Sequence, residues 1–137
     1  MKIFIDSADL TEIEKCWETG MIDGITTNPT LIMKSGLEPD YVYQSLCDLG
    51  VPDISMEVVG DYDQMITEAI SLDAKYGRQA TIKVPMTIDG LKVCDTLNTQ
   101  EKTIRTNVTL VFNAAQAMLA AKAGATYVSP FVGRIEN

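Results

Sequence analysis

A lysine lies inside an apolar segment near the middle of the chain, in the sequence QATIKVPMT from Gln79 to Thr87. Ile82 and Val84 flank Lys83, which is typical of a buried strand. Burying an ammonium group without a partner costs on the order of several kcal/mol, and burial favours the neutral amine. Because the neutral amine attacks carbonyl carbons, Lys83 is a candidate nucleophile. The simpler alternative is a lysine whose charged end reaches solvent.

Further polar residues stand near the ends of other predicted strands, on one side of each strand. Successive strand residues point to opposite faces, so residues of one parity share a face. In the fifth strand, Asn107 and Thr109 lie on one side, and Val108 and Leu110 lie on the other. In parallel barrels, active sites are built at the carboxyl ends of the strands. Together with Lys83, the polar set comprises Asp6, Glu57, Asn107, Thr109 and Ser129.

Each of these residues also has a simpler interpretation. Asp6 could cap the first helix, and Glu57 could form a structural ion pair with Lys83. Asn107 and Thr109 could form a hydrogen-bonded pair in the interior. We favour a shared site, because separate explanations would have to account for compatible chemistry at all of these strand ends.

The chemistry that this set supports is cleavage of a carbon–carbon bond through a Schiff base. The chain has no histidine, so proton transfer falls to carboxylates such as Asp6 and Glu57. Arg134, otherwise a surface arginine, could receive a phosphate or a carboxylate. A polyol could be held by the amides and hydroxyl of Asn28, Asn107 and Ser129. The set calls for no metal.

Strands and helices alternate along the chain, which favours βαβ units and a parallel sheet that is buried on both faces. The predicted strands are residues 2–6, 21–25, 54–58, 80–84, 104–110 and 126–130. The first predicted helix begins at Asp9, with Glu12 in a capping-box pattern. The predicted helices that follow begin at residues 39, 62, 88 and 113, and the segment TTNPT, residues 26–30, is predicted to be a loop. No glycine-rich turn follows the first strand, which favours a barrel over an open dinucleotide-binding sheet.

Composition restricts the class of protein. The net charge is −8, which argues against a nucleic-acid or anionic-membrane partner. No apolar run is long enough for a membrane span, and the first residues do not resemble a signal peptide. The three cysteines are widely spaced, so we expect a reducing, cytoplasmic location. No linker interrupts the chain, and we expect a single domain over residues 1–137.

Several motifs resemble the transaldolase family, in its short branch that includes fructose-6-phosphate aldolase. They are FIDSAD, GITTNPTLIMKSG, EVVG, IKVPMT, GLKV and NVTLVFNAAQAMLAAKAGATYVSPFVGR, in that order. The resemblance runs the whole length of the chain. It implies an α/β fold of the (β/α)8 TIM-barrel type, which acts without a cofactor on sugar-phosphate substrates of the pentose phosphate pathway.

The resemblance also implies a role for each candidate residue. Lys83 would form the Schiff base, and Asp6 would take the proton of the C4 hydroxyl. Glu57 and Thr109 would hold the water that moves protons during imine formation. Arg134 would bind the substrate phosphate. The residues implied to contact the dihydroxyacetone unit are Thr26, Asn28, Asn107 and Ser129.

Two positions separate the two activities of this family. Its transaldolases usually carry Glu and Phe where its fructose-6-phosphate aldolases carry Gln and Tyr, and this chain has Glu57 and Phe131. The sequence therefore favours transfer of a dihydroxyacetone unit between sugar phosphates. The alternatives are a fructose-6-phosphate aldolase, which is a lyase, and a non-catalytic binding or assembly protein.

The length departs from the pattern that the resemblance implies. A full barrel typically needs about 200 residues or more, and this sequence has 137 residues. We expect a barrel that is truncated after strand six, which leaves two open strand edges. Three explanations are open: a truncated gene product, a fragment of a longer protein, or a chain that completes its site by oligomerising. Because open edges favour pairing with another chain, we expect a homo-oligomer that completes or covers the barrel.

Overall fold

Strands and helices alternate in the computed structural model, which describes residues 1–135 and the side chains of residues 1–133. The strands are β1 (Phe4–Asp6), β2 (Gly24–Thr26), β3 (Ile54–Glu57), β4 (Ala80–Pro85), β5 (Thr106–Val111) and β6 (Tyr127–Pro130). The helices are α1 (Leu10–Trp17), α2 (Pro29–Ser35), α3 (Pro39–Leu49), α4 (Tyr62–Tyr76), α5 (Ile88–Thr99), α6 (Ala114–Lys122) and α7 (Val132–Ile135), with a 3-10 turn at Gly77–Gln79. The predicted α/β class is confirmed.

The chain divides into two compact units. The first consists of Met1–Glu57 and Leu72–Ala80, and the second consists of Val58–Ser71 and the chain from Thr81 onward. The organisation as one β/α-barrel domain over residues 1–137 stays a prediction.

In the first unit, three parallel strands follow chain order. β1 pairs with β2, where Asp6 is opposite Thr26, and β2 pairs with β3, where Thr26 is opposite Ser55. Helix α1 packs on α3. The side chains with no exposed surface in the core of this unit include Ile13, Ile25, Val42, Leu46, Ile54 and Met56.

In the second unit, β4, β5 and β6 are also parallel and in chain order. Lys83 is opposite Asn107, and Thr109 is opposite Ser129. Helix α5 packs on β5, and α6 packs on β5 and β6. The fully buried side chains here include Met65, Ile82, Val84, Val93, Leu97 and Val108.

Both faces of β4 are buried, as parallel strands between covering layers require. Ile82 and Val84 on one side, and Thr81 on the other, have no exposed surface, while Lys83 is 6% exposed. This burial confirms that the lysine lies in the interior of the second unit.

A β-bulge interrupts β5, where strict alternation was expected. The pairing passes from Thr109 opposite Ser129 to Val111 opposite Pro130, so Leu110 is the extra residue. Leu110 has a φ of 61°, in the left-handed region. The prediction that Leu110 simply continues the side of Val108 is therefore wrong, because the bulge changes the direction of the strand.

Helix α2 occupies part of the segment that the sequence predicts to be a loop. Asn28 is its N-cap and Pro29 its first residue, and Gly36 ends it with a φ of 74°. These are the usual start and stop residues of a helix. The TTNPT segment is therefore a strand end followed directly by a helix start.

Candidate active site

The ends of β1 and β2 bring two predicted site residues together in the first unit. Asp6 ends β1, Thr26 ends β2, and the two are opposite each other in the register. The Thr26 hydroxyl donates a hydrogen bond of 2.9 Å to Oδ1 of Asp6. Asp6 is exposed. A carboxylate held in this way can still accept a proton, which suits general base chemistry.

Helix capping, the simpler interpretation of Asp6, is wrong. The N-cap of α1 is Asp9, whose Oδ1 accepts from the backbone N–H groups of Thr11 and Glu12. The predicted capping box is altered, because the N–H of Asp9 donates to the Ser7 hydroxyl, which donates in turn to Glu12. Asp6 therefore does not cap α1.

Asn28 and Glu57 complete the predicted residues of the first unit. Oδ1 of Asn28 accepts from the N–H of Leu31 over 2.9 Å and so caps α2. The Nδ2 group of the same amide is the part that can donate to a substrate oxygen. Glu57 ends β3 and is half-buried.

The second unit holds the buried lysine and its strand neighbours. Lys83 lies opposite Asn107 across the β4–β5 pair, and Asn107 is 2% exposed. The Ser129 hydroxyl donates to Oδ1 of Asn107 over 2.7 Å. Thr109, which is also buried, lies opposite Ser129 in the same register. The predicted polar residues of β4, β5 and β6 therefore cluster around one strand, β5.

Phe131 follows β6 and contacts an aromatic residue that sequence reasoning missed. Its ring centroid lies 6.1 Å from that of Phe112, and the ring planes are inclined by 36°. The signal that could have indicated Phe112 is its position, directly between β5 and the Asn113 cap of α6. The backbone of Arg134 lies in α7, and its side chain lies outside the described residues.

A groove of the first unit is lined by residues other than these. It encloses about 670 Å³, and its lining includes Ser7, Glu12, Lys34 and Tyr41. None of the predicted site residues lines it. The candidate site is therefore assigned from the chemistry of the strand ends.

Among residues 1–135, no helix is long and apolar enough to cross a membrane. Within the same residues, no group of three or more Cys, Asp or Glu side chains is placed to hold a metal ion.

Comparison with known proteins identifies the family. The family described as Transaldolase/Fructose-6-phosphate aldolase matches residues 3–137. A protein of Geobacter metallireducens named "Probable transaldolase" is 54% identical over 138 aligned positions, which cover 100% of this chain and 63% of that protein. A protein of Thermodesulfovibrio yellowstonii with the same name is 51% identical, with the same coverage of 100% and 63%.

A more distant relative agrees with these two. It is "Probable transaldolase 2" of Listeria monocytogenes, which is 45% identical over 100% of this chain and 62% of its own length. The chain thus spans under two thirds of the length of the curated relatives that it matches. Its parallel strands and intervening helices are those of the β/α-barrel type. The chain belongs to the transaldolase/fructose-6-phosphate aldolase family.

Proposed function

We propose that this chain carries the Schiff-base lysine of a class I transaldolase, and that this lysine is Lys83. The observation that carries the proposal is a lysine that is 6% exposed, on a strand of a protein of this family. A lysine amine that attacks a carbonyl carbon is the nucleophile of Schiff-base chemistry. Asn107, opposite it in the register, offers an amide that can hold a substrate oxygen.

The proposed reaction proceeds through balanced steps. Nζ of Lys83 attacks the C2 carbonyl of a ketose phosphate, and water leaves to give the imine. The C3–C4 bond then breaks, its electron pair moves toward the iminium nitrogen, and the proton of the C4 hydroxyl passes to Asp6. The aldehyde product departs, and a dihydroxyacetone enamine stays on Lys83.

An acceptor aldehyde completes the transfer. The enamine carbon attacks the aldehyde, Asp6 returns its proton to the new hydroxyl, and water hydrolyses the imine. Glu57 and Thr109 hold the water that moves protons while the imine forms and breaks. The net reaction is sedoheptulose 7-phosphate plus glyceraldehyde 3-phosphate to erythrose 4-phosphate plus fructose 6-phosphate.

Polar groups at the strand ends bind the substrate in this proposal. The Nδ2 group of Asn28 is the donor of an amide whose oxygen caps a helix, and Arg134 receives the phosphate. The residues proposed to contact the dihydroxyacetone unit are Thr26, Asn28, Asn107 and Ser129.

Phe131 favours transfer over release of the three-carbon unit. A tyrosine hydroxyl at this position could help water to protonate the enamine, which leads to free dihydroxyacetone. A phenylalanine has no such group and protects the enamine until an aldehyde arrives. Glu57 accompanies Phe131 in the pattern of the transferases.

The test is borohydride reduction in the presence of fructose 6-phosphate, followed by mass analysis of the naturally occurring full-length protein. We expect a stable three-carbon adduct on Lys83 that the Lys83→Ala variant lacks. The control is Lys92→Ala, which changes an exposed lysine of α5 and keeps the adduct. A folded protein without an adduct contradicts the proposal. Release of free dihydroxyacetone without an acceptor contradicts the transferase and supports the lyase.

We also infer a homo-oligomer in the cytoplasm. Large apolar side chains are exposed on the second unit, among them Met118 (73%), Leu119 (53%) and Val132 (63%), and contact with another copy would cover them. The cysteines Cys16, Cys47 and Cys94 are free thiols, which suits a reducing compartment. Light scattering that shows a folded monomer at micromolar concentration contradicts the oligomer.

A further inference from the structure

The left-handed residue Leu110 determines how the chain leaves β5. A leucine rarely adopts a φ of 61°, because its Cβ crowds the backbone there. Residues in such conformations concentrate at sites where the surrounding structure enforces them. Here the bulge moves the register from Thr109–Ser129 to Val111–Pro130. Because a bulge bends its strand, it sets the direction in which the chain continues beyond Val111 to Phe112.

Hydrogen bonds fix the backbone on both sides of this turn. The N–H of Phe131 donates to the carbonyl of Val111 over 3.2 Å. The N–H of Phe112 donates to Oε1 of Gln116 over 2.8 Å, and the N–H of Gln116 donates to Oδ1 of Asn113 over 2.9 Å. The Cα atoms of Phe112 and Phe131 are therefore held by the strand ladder and by the cap of α6.

The two rings meet from these fixed positions. Their centroids are 6.1 Å apart, within the range of favourable aromatic pairs. Each phenylalanine is 36% exposed, so each ring keeps one part toward the outside and one part in contact. Phe131 lies two residues beyond Ser129, whose hydroxyl donates to Asn107, the register partner of Lys83.

We propose that Phe112 is a specificity-determining positioning residue, whose ring holds the ring of Phe131 and so keeps water from the dihydroxyacetone enamine. The inference rests on the proposed function, in which an enamine forms on Lys83. Phe112 touches neither substrate nor lysine in this proposal and acts through Phe131.

The role follows from the two fates of the enamine. Transfer joins its carbon to an aldehyde. Loss begins when water gives a proton to that carbon, which yields the imine of dihydroxyacetone, and a water molecule then hydrolyses the imine to free dihydroxyacetone and the amine. A ring of Phe131 that is free to turn admits water to the enamine. A substitution at Phe112 is therefore expected to change the ratio of release to transfer without affecting imine formation.

The test measures that ratio in the naturally occurring full-length protein. Phe112→Leu removes the ring, and we expect the ratio of released to transferred dihydroxyacetone to rise about 2- to 10-fold, the range that aromatic pairs contribute. The borohydride adduct on Lys83 is expected to form as in the parent protein. Phe112→Tyr keeps the ring and is expected to restore the parent ratio. Ile70→Ala, which shortens an exposed apolar side chain of α4, is the surface control.

The outcomes separate this inference from the proposed function. A parent protein that forms no adduct contradicts the proposed function. An adduct in the parent together with an unchanged ratio in Phe112→Leu overturns the role of Phe112 alone. Phe112→Met keeps most of the side-chain volume without a ring, so it serves where the leucine variant does not fold, and an unchanged ratio in it is equally decisive.

Discussion

The hydroxyl of Thr26 donates a hydrogen bond of 2.9 Å to Oδ1 of Asp6, across the parallel pair of β1 and β2. The two residues end their strands opposite each other, so the bond fixes the carboxylate relative to the strand ends. The family resemblance implies that Thr26 contacts the substrate. Its hydrogen bond to Asp6 indicates a second role, which is to orient the proposed acid/base.

Replacing Thr26 by valine tests this second task. Thr26→Val keeps the shape and removes the donor, and we expect kcat to fall about 10-fold, since hydrogen bonds to charged groups are among the stronger ones. Thr26→Ser keeps a hydroxyl and is expected to retain most of the activity. Steady-state kinetics with fructose 6-phosphate as donor and erythrose 4-phosphate as acceptor separate the two roles. A rise in KM at constant kcat would show a substrate contact only.

The bond from Ser129 to Asn107 leads to a second prediction. Asn107 is 2% exposed and accepts from the Ser129 hydroxyl over 2.7 Å. Ser129→Ala removes a partner of a buried amide, and we expect it to lower the free energy of unfolding by about 1–3 kcal/mol and to slow adduct formation. Urea unfolding and borohydride trapping measure the two effects. Ser129→Thr keeps the hydroxyl. If it lowers the free energy of unfolding as much as Ser129→Ala does, the prediction is contradicted.

The sequence predicts well the parts of the site that depend on strand parity. Lys83 between Ile82 and Val84 indicates a buried strand, because parallel strands covered on both faces read as continuous apolar runs. Its position opposite Asn107 follows from the parallel register. The family motifs then supply roles that parity cannot, such as that of Asn28.

The sequence predicts less where local backbone geometry departs from regular alternation. Leucine is an ordinary strand residue, so nothing in the sequence marks Leu110 as left-handed. The contact between Phe112 and Phe131 lies just beyond that bulge, and the sequence does not indicate it either. Helix α2 was missed for another reason, since Asn28 and Pro29 serve equally well in a turn and at a helix start.

Tyr76, the last residue of α4, donates a hydrogen bond to Asp40 of α3. This contact leads to a prediction about stability at acid pH. Hydrogen bonds from Lys75 and Tyr76 lower the pKa of Asp40 below its ordinary value of 3.8. A carboxyl with a lowered pKa in the folded state stabilises the protein above its unfolded pKa, and this stabilisation is lost as the pH falls through the folded pKa. Asp40 is largely exposed, so the effect is expected to be under about 1 kcal/mol.

Tyr76→Phe removes one of the two donors. The hydroxyl of Tyr76 lies 2.8 Å from Oδ1 of Asp40, and burial raises the pKa of Tyr76 so that it stays a donor. We expect the variant to be less stable at pH 7 and to lose less stability between about pH 5 and pH 3. Tyr41→Phe, at an exposed tyrosine next to Asp40 on α3, is the matched control. Parallel pH curves for parent and Tyr76→Phe would contradict the prediction.

A close approach at Gly90 ties the start of α5 to the end of β4. A Cβ added at Gly90 would collide with the backbone carbonyl of Pro85. The N–H of Gly90 donates to the Thr87 hydroxyl over 3.0 Å, and the N–H of Thr87 donates to the Pro85 carbonyl over 2.9 Å. Pro85 is two residues beyond Lys83, so this turn supports the strand that carries the proposed nucleophile.

Gly90→Ala is therefore expected to act against the usual effect of the substitution. In an open helix interior, alanine is more stable than glycine by up to about 1 kcal/mol. At Gly90 we expect a loss of about 1–3 kcal/mol, because overpacking moves the backbone at Pro85, together with slower adduct formation on Lys83. The control is Gly133→Ala in α7, where an added Cβ meets nothing within 4 Å. Urea unfolding measures the free energy of unfolding of both variants. A Gly90→Ala protein as stable as the parent would contradict the prediction, because it would show that the backbone at Pro85 moves without loss of stability.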